Sequence, residues 1–193
     1  MWIFGIGVFE LLGSPYPRTL VPILVAAGAF LGFIAWFFRD PDRATAQGLV
    51  SPADGRVRGV AREGEWSRIS IFMNVTDVHV NRFPLDAQVR EVGDAGKGHR
   101  PAYGSEADRN VQRRYTLDAV SGPIELVQIT GIFARRLVSF VQPGDRRTKG
   151  SRLGMIVLGS RVDVRFAAAR FSIQVQPGQH VKAGETTLAM ENA

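Results

Sequence analysis

The chain has 193 residues, of which 45% are hydrophobic and 22% charged, and its formal net charge is +6. This length and composition suffice for a buried core, which excludes a disordered tail and a fibrous protein. Cysteine is absent, so a disulfide scaffold, a thiolate metal site and a cysteine nucleophile are excluded, and three histidines argue against a histidine-rich metal site. Only three of the basic residues are lysines, so the positive charge is nearly all arginine, which binds phosphate through two donors at once.

The hydrophobic residues are concentrated near the N-terminus. Residues 20–38 form a run of 19 without a charge, which as a helix would rise about 28 Å, close to the hydrocarbon thickness of a bilayer. The charged segment 39–43 follows directly, which fits a membrane span better than a cleavable signal peptide, and a buried core helix is the alternative. Residues 2–12 form a shorter apolar segment, for which a re-entrant, an interfacial and a hairpin arrangement all stay open. We assign residues 1–46 to membrane anchoring.

After Arg43 the pattern changes to short runs that alternate hydrophobic and polar residues and are divided by glycine and proline. The clearest runs are 69–73, 162–166 and 171–175, and this period of two predicts half-buried strands. Further strands are predicted near 56–61, 88–92, 114–120, 124–130 and 137–141. No long amphipathic helix competes, so residues 47–193 are predicted to form a compact, mostly antiparallel β sandwich or barrel-like domain.

One weak internal repeat is present. The tripeptide Gln-Pro-Gly occurs at 142–144 and at 176–178, and each copy has a further glycine six residues after its own. Pro-Gly favours a tight turn, so the repeat predicts two similar hairpins.

Three polar residues are candidates for chemistry. Asp54 lies in the segment SPADG, where an ordinary turn explains both the aspartate and the glycine. His79 follows a predicted strand, and a structural histidine is the ordinary explanation, although polar residues at a strand end favour a site. Ser160 follows Gly159 before another predicted strand, as in many simple turns. None of the three is a specific signal alone.

In combination, these segments resemble the short-chain, pyruvoyl-dependent phosphatidylserine decarboxylases. The resemblance covers the chain from Phe37 almost to its end and rests on the order and spacing of five motifs. These are FFRDPDR at 37–43, SPADG at 51–55, DVHVNR at 77–82, TGIFARR at 130–136 and LGSRVD at 158–163. It implies a proenzyme that cuts itself between Gly159 and Ser160 into a β chain 1–159 and an α chain 160–193, which stay associated. Ser160 would become the cofactor, a covalently bound pyruvoyl group.

The chemistry explains why such a group is needed. Decarboxylation of an amino acid leaves a carbanion, and a pyruvoyl carbonyl can accept that charge through a Schiff base with the substrate amine. Making the group from serine requires a base for the hydroxyl proton and a residue that orients the base. Ser160, His79 and Asp54 are the candidates for the nucleophile, the base and the orienting residue, and Gly159 would let the backbone bend at the bond that is cut.

The sequence departs from the family pattern in two positions. Longer bacterial members have a second histidine, assigned by the resemblance to self-cleavage, where this chain has Arg82, and His79 matches the first histidine, which is associated with decarboxylation. We therefore predict that His79, oriented by Asp54 or Asp77, serves both steps. Arginine also follows Ser160 where threonine is usual, as in the shorter subgroup. His99, in a predicted loop, and His180, in a predicted hairpin, are not expected to act as bases.

The membrane segment and the arginines together predict a phospholipid headgroup as substrate. Conversion of phosphatidylserine to phosphatidylethanolamine and carbon dioxide is the first choice, and an archaeal ether-lipid analogue is the alternative. Arg82, Arg135 and Arg136 are candidates for binding the phosphate. The excess of arginine after the span predicts a β domain on the cytoplasmic side of the cell membrane. A homo-oligomer remains open.

Two readings from other functional classes also stay open. A membrane-tethered serine hydrolase could use Asp54, His79 and Ser160, although no Gly-x-Ser-x-Gly segment is present. A non-enzymatic β-sandwich scaffold is the other. Nucleic-acid binding is not predicted, because no recognition motif accompanies the basic charge, and no metal site is predicted.

Overall fold

The computed structural model describes residues 20–98, 100, 102, 105–131, 136–157 and 160–192. The apolar segment 2–12, His99, Arg135 and Gly159 lie outside these ranges, so the predictions made for them stay predictions. The chain divides into two compact units, Met1–Trp36 and Phe37–Ala193. Residues 37–46, which we grouped with the membrane anchor, lie in the second unit.

The first unit contains most of the one α-helix in the described residues, α1 (Leu20–Phe37). Its mean hydropathy is 2.3, and it is long and apolar enough to cross a membrane. Only Phe37 among its residues is buried, which is the opposite of what a core helix shows. The predicted apolar helix is therefore confirmed.

The second unit is built from short antiparallel strands, as the alternating sequence predicts. The described strands are β1 (Leu49–Val50), β2 (Gly55–Glu63), β3 (Trp66–Met73), β4 (Val80–Arg82), β5 (Ala87–Ala95), β6 (Gln112–Ala119), β7 (Gly122–Thr130), β8 (Arg136–Ser139), β9 (Arg146–Arg147), β10 (Arg152–Val157), β11 (Ser160–Ala167), β12 (Phe171–Ile173), β13 (His180–Val181) and β14 (Thr187–Glu191). One 3-10 helix, Ser105–Arg109, precedes β6. The prediction of a mostly β fold is confirmed.

The strands form three sheets. The largest has eight strands in the order β13-β2-β3-β11-β7-β6-β5-β9, and two three-stranded sheets have the orders β1-β14-β12 and β4-β10-β8. Their apolar faces meet in a single main core, to which β3 contributes Ile69 and Ile71 and β11 contributes Val162, Val164 and Phe166. This packing fixes the position of β11, the strand that begins with Ser160.

The prediction that run 162–166 is half-buried is wrong, because both faces of β11 are covered. Arg161 and Asp163 are only 5% and 4% exposed. The strand lies between β3 and β7 in the largest sheet, so it has no free edge. On the second face Arg161 pairs with Asp163 and with Asp108 of the 3-10 helix, and these ion pairs allow the charged side chains to be buried.

The two Gln-Pro-Gly segments form the same turn, but the prediction that they are hairpins is wrong. The strands on either side of each turn pair elsewhere: β8 with β10 and β9 with β5 around the first, β12 with β14 and β13 with β2 around the second. In each, the residue after the glycine donates a backbone hydrogen bond to the glutamine carbonyl, with an N···O distance of 3.2 Å in both copies. Gly144 and Gly178 have φ angles of 95° and 90°, which an L side chain rarely adopts. The first turn docks on β5 through Val89 and the second on β2 through Val57. The structure thus contains two related halves.

Candidate active site

Ser160 is the first residue of β11 and is completely buried. Its backbone lies between Met73 of β3 and Thr130 of β7. Its hydroxyl donates a hydrogen bond of 3.3 Å to the sulfur of Met73. Because a thioether is a weak acceptor, the buried oxygen has no strong hydrogen-bond partner among the described residues.

His79 lies at the end of the turn that joins β3 to β4. The Asp77 side chain accepts a 2.7 Å hydrogen bond from the backbone N–H of Asn74, and this bond closes the turn. The Nδ1 atom of His79 lies 2.9 Å from the backbone carbonyl oxygen of Asp77. A carbonyl oxygen can only accept, so Nδ1 carries the proton and Nε2 has the free lone pair. Nε2 is buried and has no hydrogen-bond partner among the described residues.

The environment of His79 keeps its ring neutral. The ring of Phe37 covers it, with 4.3 Å between the ring centroids and 33° between the planes. Burial lowers the pKa of His79 below its usual value, and the carbonyl and the charge of Asp77 offset only part of that effect. A neutral imidazole with a free Nε2 lone pair is suited to accept a proton.

Asp54 lies in the turn before β2 and uses both of its oxygens. Oδ1 accepts a 2.7 Å hydrogen bond from the backbone N–H of Ala183, and Oδ2 accepts one of 2.8 Å from the Arg43 guanidinium. No hydrogen bond joins Asp54 to His79 in the described part of the chain. The Asp54 charge nevertheless raises the pKa of His79 slightly, so the two groups interact through space.

Asp86 is the structural counterpart of Asp54 in the other half of the domain. Each aspartate follows a Pro-x pair and stands just before a long strand, β5 in the case of Asp86. Asp86 accepts a 2.6 Å hydrogen bond from the backbone N–H of Lys149, which is 34 residues before Ala183, the spacing of the Gln-Pro-Gly repeat. The backbone bond of Asp54 is therefore part of the fold, and the ion pair with Arg43 distinguishes the two positions.

The residues that follow α1 contact the candidate site directly. Arg39 donates a 2.6 Å hydrogen bond to the carbonyl of Thr76, in the His79 turn. Asp40 forms ion pairs with Arg82 and Arg152. Together with Phe37 on His79 and Arg43 on Asp54, these contacts make the FFRDPDR segment a component of the site. Sequence analysis missed this role, because it treated the segment only as the exit from the membrane.

His180 also reaches the site, although the sequence indicated only a hairpin. Its strand, β13, pairs with β2, and this pairing brings Nε2 to 3.4 Å from Oδ1 of Asp77. The side chain is 48% exposed. This contact joins residues 103 positions apart, so no local signal could have revealed it.

The arginines proposed for phosphate binding differ in whether their guanidinium donors are already bound within the protein. The Arg82 guanidinium is bound to Asp40, to the carbonyl of Gly150 at 2.9 Å and to that of Pro41 at 3.0 Å. Arg136 begins β8, is exposed, and lies opposite Val157, three residues before Ser160. The described ranges contain no group of three or more metal-ligating side chains.

Comparison with known proteins gives consistent similarities. Residues 30–189 match the family model described as "Phosphatidylserine decarboxylase". A protein of Halobacterium salinarum named as an archaetidylserine decarboxylase proenzyme is 40% identical over 188 residues, covering 95% of this chain and 91% of the relative. A phosphatidylserine decarboxylase proenzyme of Streptomyces coelicolor is 39% identical over 182 residues, covering 93% and 83%. One from Thermobifida fusca is 39% identical over 187 residues, covering 95% and 84%.

Proposed function

The chain belongs to the phosphatidylserine decarboxylase family, and we propose that it decarboxylates the serine headgroup of a phospholipid after cutting itself at Ser160. The observation that carries the proposal is the state of Ser160. It is a buried serine that follows a glycine, begins a central strand and has a thioether as its described side-chain partner. This hydroxyl is buried, and no described residue engages it with a strong acceptor, as a nucleophile for the adjacent peptide bond requires.

In the proposed self-cleavage, Ser160 Oγ bonds to the carbonyl carbon of Gly159 while its proton passes to His79 Nε2. The C–N bond between Gly159 and Ser160 then breaks, and the nitrogen takes up a proton. The ester loses the α-proton of residue 160 and its Cβ–O bond breaks, which leaves Gly159 as a carboxylate. Water finally replaces the nitrogen at Cα and releases ammonia, so residue 160 ends as a ketone.

The surroundings of Ser160 fit the resulting pyruvoyl group. Its methyl carbon would lie where the serine side chain now contacts the Met73 sulfur, which suits an apolar group better than a hydroxyl. Bound there, the group supplies the electron sink that decarboxylation needs. His79, neutral and capped by Phe37, would hold the proton that the substrate carbon takes up after carbon dioxide leaves.

The two chains are expected to remain together after the cut. β11 of the α chain pairs with β3 over its whole length, from Ser160 opposite Met73 to Ala167 opposite Trp66, and its other edge pairs with β7. Both neighbours belong to the β chain. Dissociation would break both strand ladders and expose Val162, Val164 and Phe166.

α1 is proposed to anchor the protein in a membrane, and the substrate is proposed to come from that membrane. Of the phosphate-binding candidates, Arg136 is exposed, whereas the donors of Arg82 already bind Asp40 and two carbonyls. We therefore assign phosphate binding first to Arg136, with Arg135 as its neighbour in the chain. The domain is proposed to face the cytoplasm, following the excess of arginine after the span.

Full-length protein in vesicles tests the activity. Vesicles contain a serine phospholipid labelled at the carboxyl carbon, once with ester-linked and once with ether-linked chains, and released carbon dioxide is counted. Wild type should release label from at least one lipid, and Ser160→Ala should release none. Release of a water-soluble headgroup instead would identify a hydrolase, and no turnover of either lipid would contradict the proposal.

A further inference from the structure

A chain of buried polar side chains crosses the core and ends beside Ser160. The hydroxyl of Tyr115 donates to Oε1 of Gln128 at 3.2 Å, and Nε2 of Gln128 donates to Oδ1 of Asn81 at 2.7 Å. Nδ2 of Asn81 then points at the sulfur of Met73, 3.8 Å away. All four side chains are completely buried.

The direction of the Asn81 amide follows from its two neighbours, since the reverse direction would set its oxygen against the Met73 sulfur, which has no hydrogen to donate. Oε1 of Gln128 accepts from the Tyr115 hydroxyl, so the Gln128 NH2 group faces Asn81. Asn81 must present its oxygen to that group, and its own NH2 group therefore points toward Met73. Burial raises the pKa of Tyr115, so the hydroxyl keeps its proton at neutral pH.

Gly154 of β10 shows how closely the backbone packs against this arrangement. It pairs with Asn81, and a methyl group added to it would lie 2.5 Å from the Val138 carbonyl oxygen, 2.9 Å from the Tyr115 hydroxyl oxygen and 3.2 Å from Gln128 Nε2. Glycine at this position therefore lets β10 pack directly against both the neighbouring strand and the Tyr115 and Gln128 side chains.

This arrangement pairs the Asn81 amide, a good hydrogen-bond donor, with the Met73 sulfur, a poor acceptor, beside Ser160. A thioether accepts a hydrogen bond weakly, and a buried amide N–H without a strong acceptor is costly to the fold. The same sulfur also accepts a hydrogen bond from Ser160 Oγ, so the Asn81 amide and the Ser160 hydroxyl share one acceptor atom. Among the described residues the Nδ2 group has only this thioether as acceptor, and such a donor suits an oxygen that becomes negative only during reaction.

We propose that Asn81 is a catalytic residue of self-cleavage, whose Nδ2 moves from the Met73 sulfur to the oxygen that becomes negative when Ser160 attacks the preceding carbonyl. This inference rests on the proposed function. The Met73 sulfur lies 3.8 Å from Nδ2 and 3.3 Å from Ser160 Oγ, so the amide is close to the hydroxyl whose attack creates the negative charge. Gln128 is the positioning residue that aims the amide.

The test is the rate at which newly made full-length chains are cut. Chains are synthesised in a cell-free reaction with vesicles, labelled in a short pulse and followed by denaturing gel. Asn81→Leu, which keeps the size but removes the donor, should be cut about a hundredfold more slowly than wild type. Gln128→Met leaves Asn81 in the site but frees the Asn81 amide to rotate. The cutting rate of this variant should therefore fall between those of wild type and Asn81→Leu.

Gln112→Met is the matched control for Gln128→Met. Gln112 is also a buried glutamine, but its amide donates to the carbonyl of Asp108, at 2.6 Å and outside the chain that reaches Ser160. Its variant should be cut at the wild-type rate. Melting temperatures are measured with each substitution combined with Ser160→Ala, so that every chain stays uncut.

Hydroxylamine, which cleaves esters, identifies the step affected. If Asn81 assists the attack, no ester accumulates in Asn81→Leu, and hydroxylamine should not increase its cutting. The inference is overturned if Asn81→Leu is cut at the wild-type rate, if hydroxylamine restores its cutting, or if the rates of all three variants simply follow their melting temperatures. A wild-type chain that is never cut would instead refute the proposed function.

Discussion

The contribution of the Asp54–Arg43 ion pair can be separated from that of the turn around Asp54 by two matched substitutions. Asp54→Asn keeps an oxygen for the Ala183 N–H but turns an NH2 group toward the Arg43 guanidinium. Asp86→Asn makes the same change in the other half, where the carboxylate caps Lys149 and no ion pair to it is seen among the described residues. The difference between the two variants therefore reports on the ion pair.

The structure sets the expected size of that difference. The Arg43 and Asp54 side chains are 7% and 9% exposed, and breaking a buried pair costs about 3–5 kcal/mol. Arg43 retains Glu185 at 3.4 Å, so we expect a loss near the lower end, about 3 kcal/mol. Asp86→Asn weakens one hydrogen bond to an exposed carboxylate, which costs about 1 kcal/mol.

Denaturant unfolding measures these losses in full-length protein in detergent, with Ser160→Ala present so that the chains stay uncut. The cutting rate is then measured with Ser160 restored. Asp54→Asn should slow cutting, because the charge that favours protonated His79 is lost, whereas Asp86→Asn should not. Equal losses of stability and equal cutting rates in the two variants would refute the reasoning, since Asp54 would then be only a turn residue.

The pKa of His79 predicts how the uncut protein responds to pH. The unfolded chain takes up a proton on this ring near pH 6.5, whereas the buried ring does so only at lower pH, so stability should be greatest above that value and fall as the pH drops. Adding His79→Gln should flatten this part of the curve, and with Ser160 restored it should block cutting. Clean cutting of His79→Ala with loss of turnover alone would show that cleavage and decarboxylation use different bases. Deleting residues 1–36 or residues 1–38 should release a soluble domain in both cases. Only the longer deletion removes Phe37, so the chain lacking residues 1–38 should be cut more slowly. Equal cutting rates would mean that the contact of Phe37 with His79 has no role. His180→Ala should be cut completely, because its 3.4 Å contact with Asp77 is half-exposed, and failure to mature would assign it an essential role.

The sequence predicted features whose signals are local. Alternation at 69–73 located β3, and 19 uncharged residues located α1. It could not predict that Arg161 and Asp163 are buried, because their cover comes from Asp108, more than 50 residues away. The polar residues of a half-exposed strand and of a central strand with internal ion pairs give the same pattern.

For the site, too, the local signals could be predicted from the sequence and the contacts formed by folding could not. Asp54, His79 and Ser160 were found through motifs, but their partners depend on strand pairing and on the folding back of the segment after α1. The contact of His180 with Asp77 joins residues 103 positions apart, and that of Arg43 with Asp54, only 11 positions apart, forms because the segment after α1 folds back. Asp86 could have been found by aligning the segments around the two Gln-Pro-Gly copies, for which the sequence predicted only two similar hairpins.

The intact mass of the purified protein under denaturing conditions tests the central claim most directly. We predict two chains, with the second beginning at position 160, lighter by one ammonia than hydrolysis alone would leave it and resistant to N-terminal sequencing. Ser160→Ala should give one chain of full mass. A homogeneous, uncut chain of 193 residues that decarboxylates a serine phospholipid would contradict the pyruvoyl mechanism.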